Sequence, residues 1–240
     1  MRAPLVPLRF FRSRRSPTAS GLMVILASTL YGMFFLLTLY MQLELGWSPL
    51  HAGLAYVAFG VGFLVAVATA SQLLPKVGAR PLVVGGMVVS AAGFALLSRL
   101  PLPVHYWSGL VPPMLLVSVG LGWCFVSLTV SAVSDAQQAD AGLASGMVTT
   151  AQQVGGALGL AVLVSIAASR SSSLLGSGHA PAAAQLAGAH LAFWVGAGLL
   201  VAGALLAAVL IDRAKPSALP TPTPAIQAEV GEPELETLSA

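Results

Sequence analysis

The sequence predicts an all-α membrane protein: six transmembrane helices in two three-helix repeats. Three observations predict it. Residues 45–75, 100–134 and 171–211 contain no Asp, Glu, Lys or Arg, and a helix needs about 20 apolar residues to cross a bilayer. Charged residues make up 8% of the chain against 57% hydrophobic. A soluble domain carries about 25% charged residues, so no water-facing shell can be built from these. Finally, the apolar runs are continuous. Membrane β-strands would alternate apolar and polar positions over about ten residues.

Reading the apolar runs between helix breakers gives spans at 21–40, 52–74, 82–97, 107–130, 143–168 and 190–211. The first connection, 42–51, holds Gly46 and Pro49. The second, 75–81, is a tight turn with Lys76, Gly78 and Arg80. The third holds Pro101 and Pro103, and Pro112 with Pro113 either kinks the fourth span or marks its start. The fourth connection, 131–141, carries Asp135, Gln137, Gln138 and Asp140, and the fifth, 170–188, is rich in Ser, Gly and Ala. Gly and Pro punctuate helices, which is why the breaks are placed there. The division that follows is a basic, amphipathic cytoplasmic lead-in at 1–20, a six-helix bundle at 21–212 and a disordered tail at 213–240. The tail is rich in Pro, Thr and Glu, and such a composition cannot bury a core. Leu5, Leu8, Phe10 and Phe11 among the arginines suit a short segment on the membrane surface. The first apolar run, about 20 residues, exceeds the 7–15 residues of a signal-peptide core, so it reads as a retained helix.

Lys and Arg stay preferentially on the cytoplasmic side. With the N-terminus inside, nine positive residues are cytoplasmic (Arg2, Arg9, Arg12, Arg14, Arg15, Lys76, Arg80, Arg213, Lys215) and only Arg99 and Arg170 are outside. Both termini are then cytoplasmic in a multi-pass protein of the cell membrane. Trp47, Trp107 and Trp194 fit an outer aromatic belt. A net charge of +3 placed at helix ends is no nucleic-acid surface. The single cysteine, Cys124, allows no internal disulfide and no cysteine zinc site. No metal or cofactor is expected.

The spans differ in polarity. The third has one hydroxyl, Ser90, and the sixth has nothing strongly polar beyond His190. The others carry Ser28, Thr29, Tyr31 and Thr38; Thr69, Ser71 and Gln72; Ser118, Trp123, Ser127 and Thr129; and Thr149, Thr150, Gln152 and Gln153. Polar groups at membrane depth face protein or a water-filled cavity. Spans three and six should therefore face lipid, and spans one, two, four and five should line a cavity. Polar, polar, apolar, twice over, is the pattern of two three-helix repeats. The best candidates for cavity contacts are Tyr31, Gln72, Trp123, Ser127, Thr149 and Gln153. Gly142–Gly146 and Gly155–Gly159 form G-x-x-x-G pairs, with Gly156 beside them, which suits close helix packing. Gln152 and Gln153 have two readings, interhelical hydrogen-bond partner or substrate contact, and both stay open.

Three segments, LTLYMQLELGWSPLHAGLAYVAFGVG (37–62), PKVGARPLVVGG (75–86) and AGLASGMVTTAQQVGGALGLAVL (141–163), resemble the second half of major facilitator superfamily transporters, specifically the fourteen-span drug:proton antiporter family. PLVPLRFFRSRR resembles the linker before the last six helices. The resemblance implies half of a major facilitator fold and proton-driven export of amphipathic compounds by alternating access. It implies a second six-helix half as partner, another copy or another chain, and a cytoplasmic turn motif at Lys76, Gly78 and Arg80. The acidic residue usual in that motif is absent, as is any Asp, Glu or His in mid-span. The competing expectation is a membrane remnant or accessory subunit that transports nothing, from a truncated or split reading frame. An intramembrane enzyme is disfavoured: there is no H-E-x-x-H and no G-x-S-x-G.

Overall fold

The computed structural model describes residues 15–101, 104–133 and 141–211. Leu5, Leu8, Phe10 and Phe11 of the lead-in, the tail at 213–240, and Asp135 and Asp140 of the fourth connection lie outside them. Among the described residues, seven α-helices build six membrane-length spans: α1 (Arg15–Leu39), α2 (Pro49–Ala55), α3 (Val57–Val77), α4 (Ala79–Leu97), α5 (Val111–Val133), α6 (Ala141–Gly176) and α7 (Pro181–Leu210). α2 and α3 share one span, broken at Tyr56, and single π-helical turns extend α1 through Tyr40–Glu44 and precede α5 at Tyr106–Leu110. No strand occurs among the described residues.

The local signals account for the breaks. Ser48 caps α2 by accepting from the His51 amide, with Pro49 in the first helical position, where its missing N–H is no loss. Gly78 sits at φ 84° and ψ 169° between α3 and α4, a conformation open essentially to glycine alone. Gly46 and Gly178 also take positive φ. The bundle thus has a Gly78 end and, opposite it, an end carrying Gly46, Pro101 and Gly178.

The helices pack in two layers. α3, α5, α1 and α6 lie side by side in that order, and α4 and α7 stand together behind them, α4 against α5 and α7 against α1 and α6. α1 packs on α6 and α5 packs on α3, so the first helix of each three-helix repeat lies against the second helix of the other. The four front helices are the four spans with polar side chains at depth.

Span three, assigned to lipid from its apolar sequence, is also closely packed within the bundle. Half of α4 is buried, against 28% for the α3 and α6 spans. Small residues explain it. A Cβ on Gly86 would stand 2.5 Å from the Gly120 carbonyl oxygen, and one on Gly93 would meet Val117 at 2.6 Å, so α5 sinks into α4. On the other side Phe94 and Met87 seat against Gly196 and Gly203 of α7. Apolar character fixes what a helix tolerates, and residue size then decides how deeply it is buried.

The fifth connection also differs. No long loop runs over 170–188. α6 continues to Gly176 and α7 begins at Pro181, because alanine-rich sequence favours helix. His190, expected at a helix end, lies nine residues into α7, where its Nε2 is 3.0 Å from the Leu100 carbonyl oxygen. At 1.5 Å per residue the α6–α7 hairpin projects about 14 Å past the end of α4. Trp194 is beside it, with the Arg99 guanidinium 5.9 Å from its ring.

Candidate substrate-facing wall

Two seams position the polar residues of the front layer. The first joins α1 and α6. A Cβ on Gly155 would lie 2.6 Å from the Val24 carbonyl oxygen, and one on Gly159 would overlap Ser28. The backbones therefore touch, and the Ser28 hydroxyl donates to the Gly155 carbonyl at 2.8 Å. Gly156 leaves room for the Tyr31 ring, 3.0 Å from where its Cβ would be. At the open edge of this seam the Tyr31 hydroxyl donates to Gln153 Oε1 at 3.3 Å. Tyr31 and Phe35 are exposed one turn apart on α1. Gln152 turns inward, its amide nitrogen 3.6 Å from Met23 Sδ.

The second seam joins α3 and α5. Gly62 faces Ser118 and Leu115, and Gly122 faces Ala66. Here the Trp123 indole N–H donates to Thr69 Oγ1 at 3.1 Å, which fixes the plane of the indole. A run of aromatic contacts follows α3: Tyr56 stacks on Phe34 at 4.7 Å, Phe34 meets Phe59 edge-on at 5.0 Å, and Phe63 meets Phe125 at 6.0 Å. The Tyr56 hydroxyl is held by the Phe34 carbonyl and Thr38.

The structure thus joins Tyr31 to Gln153 and leaves the other four candidates apart. Trp123 pairs with Thr69, which was not among the candidates. Gln72 is exposed on α3, one turn beyond Thr69, and Thr149 is exposed on α6 with its hydroxyl on the Ser145 carbonyl of its own helix. Ser127 corrects the cavity expectation: it is fully buried. It follows Gly120 by two turns, on the α5 face that packs against α4, where Cys124 Sγ also reaches the Val83 carbonyl. A small polar residue is as easily accommodated in a helix seam as in a cavity. The glycine candidates divide as well. Gly155, Gly156 and Gly159 touch α1, whereas Gly142 and Gly146 have nothing within 4 Å of a Cβ position.

Phe35, Phe63 and Phe125 belong to the same layer and were not singled out from the sequence. The i, i+4 spacing of Tyr31 and Phe35 on a polar span was the available signal. In the turn motif, the Arg80 guanidinium donates to the Ala208 carbonyl near the end of α7, and Lys76 is exposed. A cation on the last carbonyls of a helix also complements the helix dipole. Arg80 therefore ties the start of α4 to the end of α7.

A family profile described as Major Facilitator Superfamily matches residues 1–160 of the 240. The chain belongs to the Major Facilitator Superfamily. Its relatives within the superfamily include the puromycin resistance protein pur8 of Streptomyces alboniger, 37% identical over 76% of this chain and 38% of that protein. The lincomycin resistance protein of Streptomyces lincolnensis is 36% identical over 68% of this chain and 34% of its own length. The cephamycin export protein CmcT of Amycolatopsis lactamdurans is 34% identical over 87% of this chain and 42% of its own. The chain spans roughly two fifths of the superfamily relatives it matches, or less. It is a multi-pass membrane protein with the six-helix architecture of half a major facilitator fold.

Proposed function

We propose that this chain supplies one wall of an export path for amphipathic small molecules, working by alternating access against a second six-helix half. The observation that carries the reading is the state of the front layer. Its two outer helices, α3 and α6, are 28% buried, and they expose Leu64, Gln72, Gln153 and Leu158 beside Tyr31 and Phe35. A sheet of helices with polar and aromatic groups set among apolar ones suits a path lined on both sides, and here one side is present. The antibiotic resistance and export functions of the relatives agree with it. The second half is another copy of this chain or a separate chain. The Lys and Arg distribution favours a cytoplasmic Gly78 end, cytoplasmic termini and residence in the cell membrane.

The test uses proteoliposomes with a pH gradient and an amphipathic dye such as ethidium, together with cysteines placed at Leu64 and Leu158. Export accompanied by crosslinking to a second copy or a co-expressed half supports the proposal. Export by single-chain vesicles with no crosslinked partner contradicts the need for a second wall. Failure of all export with every candidate partner supports a non-transporting chain.

A further inference from the structure

A cavity of about 320 Å³ lies away from the wall, where the projecting α6–α7 hairpin stands against the end of α1. That volume is at the lower end of small-molecule sites. Its walls are mainly apolar, with Leu36, Leu39 and Leu43 on one side and Leu175 and Leu186 on the other. Glu44 lines it too. Glu44 is the one carboxylate among the described residues, and no cationic side chain is paired with it there. Gln185, Ser171 and Ser172 are the polar groups opposite. Arg170, on the same stretch of α6, is exposed and is not part of the lining.

The backbone sets this arrangement. Glu44 closes the π-helical turn Tyr40–Glu44, in which the Leu45 amide bonds the Tyr40 carbonyl at 3.3 Å. Leu36, Leu39, Tyr40, Leu43 and Glu44 stand at i, i+3, i+4, i+7 and i+8, so they share one side of the helix. Tyr40 is itself anchored, its hydroxyl donating to the Pro101 carbonyl at 2.9 Å, so its ring stands fixed beside the carboxylate. An unpaired carboxylate on the lining of an apolar cavity complements a cation with an apolar body.

We propose that this cavity binds a small amphipathic monocation, with its apolar body between α1, α6 and α7 and its charge on Glu44. The site is separate from the wall formed by Tyr31, Gln153, Trp123 and Thr69. It holds the ligand whether or not the second half is present.

The experiment is equilibrium binding of tetraphenylphosphonium to the full chain in zwitterionic nanodiscs, with empty nanodiscs subtracted and neutral triphenylphosphine oxide as the comparison. Saturable binding of the cation is expected, at least tenfold tighter than the neutral compound. Glu44→Gln should weaken it at least tenfold, and Glu44→Asp should return it to within threefold of the parent. Ala168→Trp, which fills the cavity from α6, should abolish it. Equal affinity for cation and neutral compound, or Glu44→Gln binding within twofold of the parent, overturns the proposal. A second readout stands if Ala168→Trp does not fold. The native Cys124 is fully buried, so Leu175→Cys offers a single reactive thiol at the cavity. The cation should slow its maleimide labelling at least fivefold, and an unchanged rate overturns the assignment.

Discussion

Replacing Gly159 with alanine tests the α1–α6 seam on which the wall depends. The added Cβ would fall on Cα, Cβ and Oγ of Ser28. Part of that overlap is with main chain, so no rotamer change relieves it, and α6 must move away from α1. Forcing an extra methyl into a packed site costs about 1–3 kcal/mol. The Ser28–Gly155 hydrogen bond lengthens at the same time, and such bonds between membrane helices contribute about 0.6 kcal/mol on average. Alanine's better helix propensity returns up to about 1 kcal/mol. The net expectation is a loss of about 1–2 kcal/mol, a factor of roughly 5–30 in the folding equilibrium. Gly146→Ala is the matched control, because nothing lies within 4 Å of its Cβ position, and it should stay within about 0.5 kcal/mol of the parent. The assay is SDS-induced unfolding from mixed micelles, followed by tryptophan fluorescence. Equal midpoints for Gly159→Ala and Gly146→Ala would refute the seam.

The other predictions concern the ends of the bundle and the second seam. Arg80→Gln removes the charged donor from the Ala208 carbonyl and should lower stability by up to about 2 kcal/mol. Lys76→Gln, at an exposed side chain, should leave the unfolding midpoint in place. Gly78→Ala forces a Cβ into a backbone conformation with φ 84° and should cost about 1–3 kcal/mol, read as a lower unfolding midpoint. Trp123→Phe keeps an aromatic ring but deletes the donor to Thr69. It should cost about 1 kcal/mol, and a Thr69→Val change added to it should cost less than it does alone, as a double-mutant cycle would measure.

Much of the fold was legible because the bilayer imposes a simple code. Uncharged runs marked the spans, and Gly46, Gly78 and the prolines marked the breaks. The polarity ranking separated the four front helices from α4 and α7. Burial was less legible. α4 is apolar and was assigned to lipid, yet its glycines let α5 and α7 close over it. Ser127 and Gln153 are both polar residues at depth, and the sequence alone does not tell which face of its helix each occupies. Likewise the two G-x-x-x-G pairs of α6 have identical spacing, but only Gly155 and Gly159 face α1, because spacing records which positions are small and not what lies opposite. The serine- and alanine-rich stretch at 170–188 has a loop-like composition and a helical structure, since alanine propensity outweighs the scattered serines there. The cavity around Glu44 depends on that hairpin, so it was out of reach of sequence reading.

Cysteine accessibility in native membranes tests the central claim, that the α3–α5–α1–α6 layer is the path-facing side and α4 with α7 the lipid-facing side. With Cys124 buried, single cysteines can be placed at Gln72 and Gln153 on the front and at Val201 and Leu205 on the back, all four exposed in the bundle. A water-soluble maleimide should label the first pair at least tenfold faster than the second, because thiols react as thiolates in water. Labelling of Val201 and Leu205 at rates equal to or above those of Gln72 and Gln153 would contradict the account.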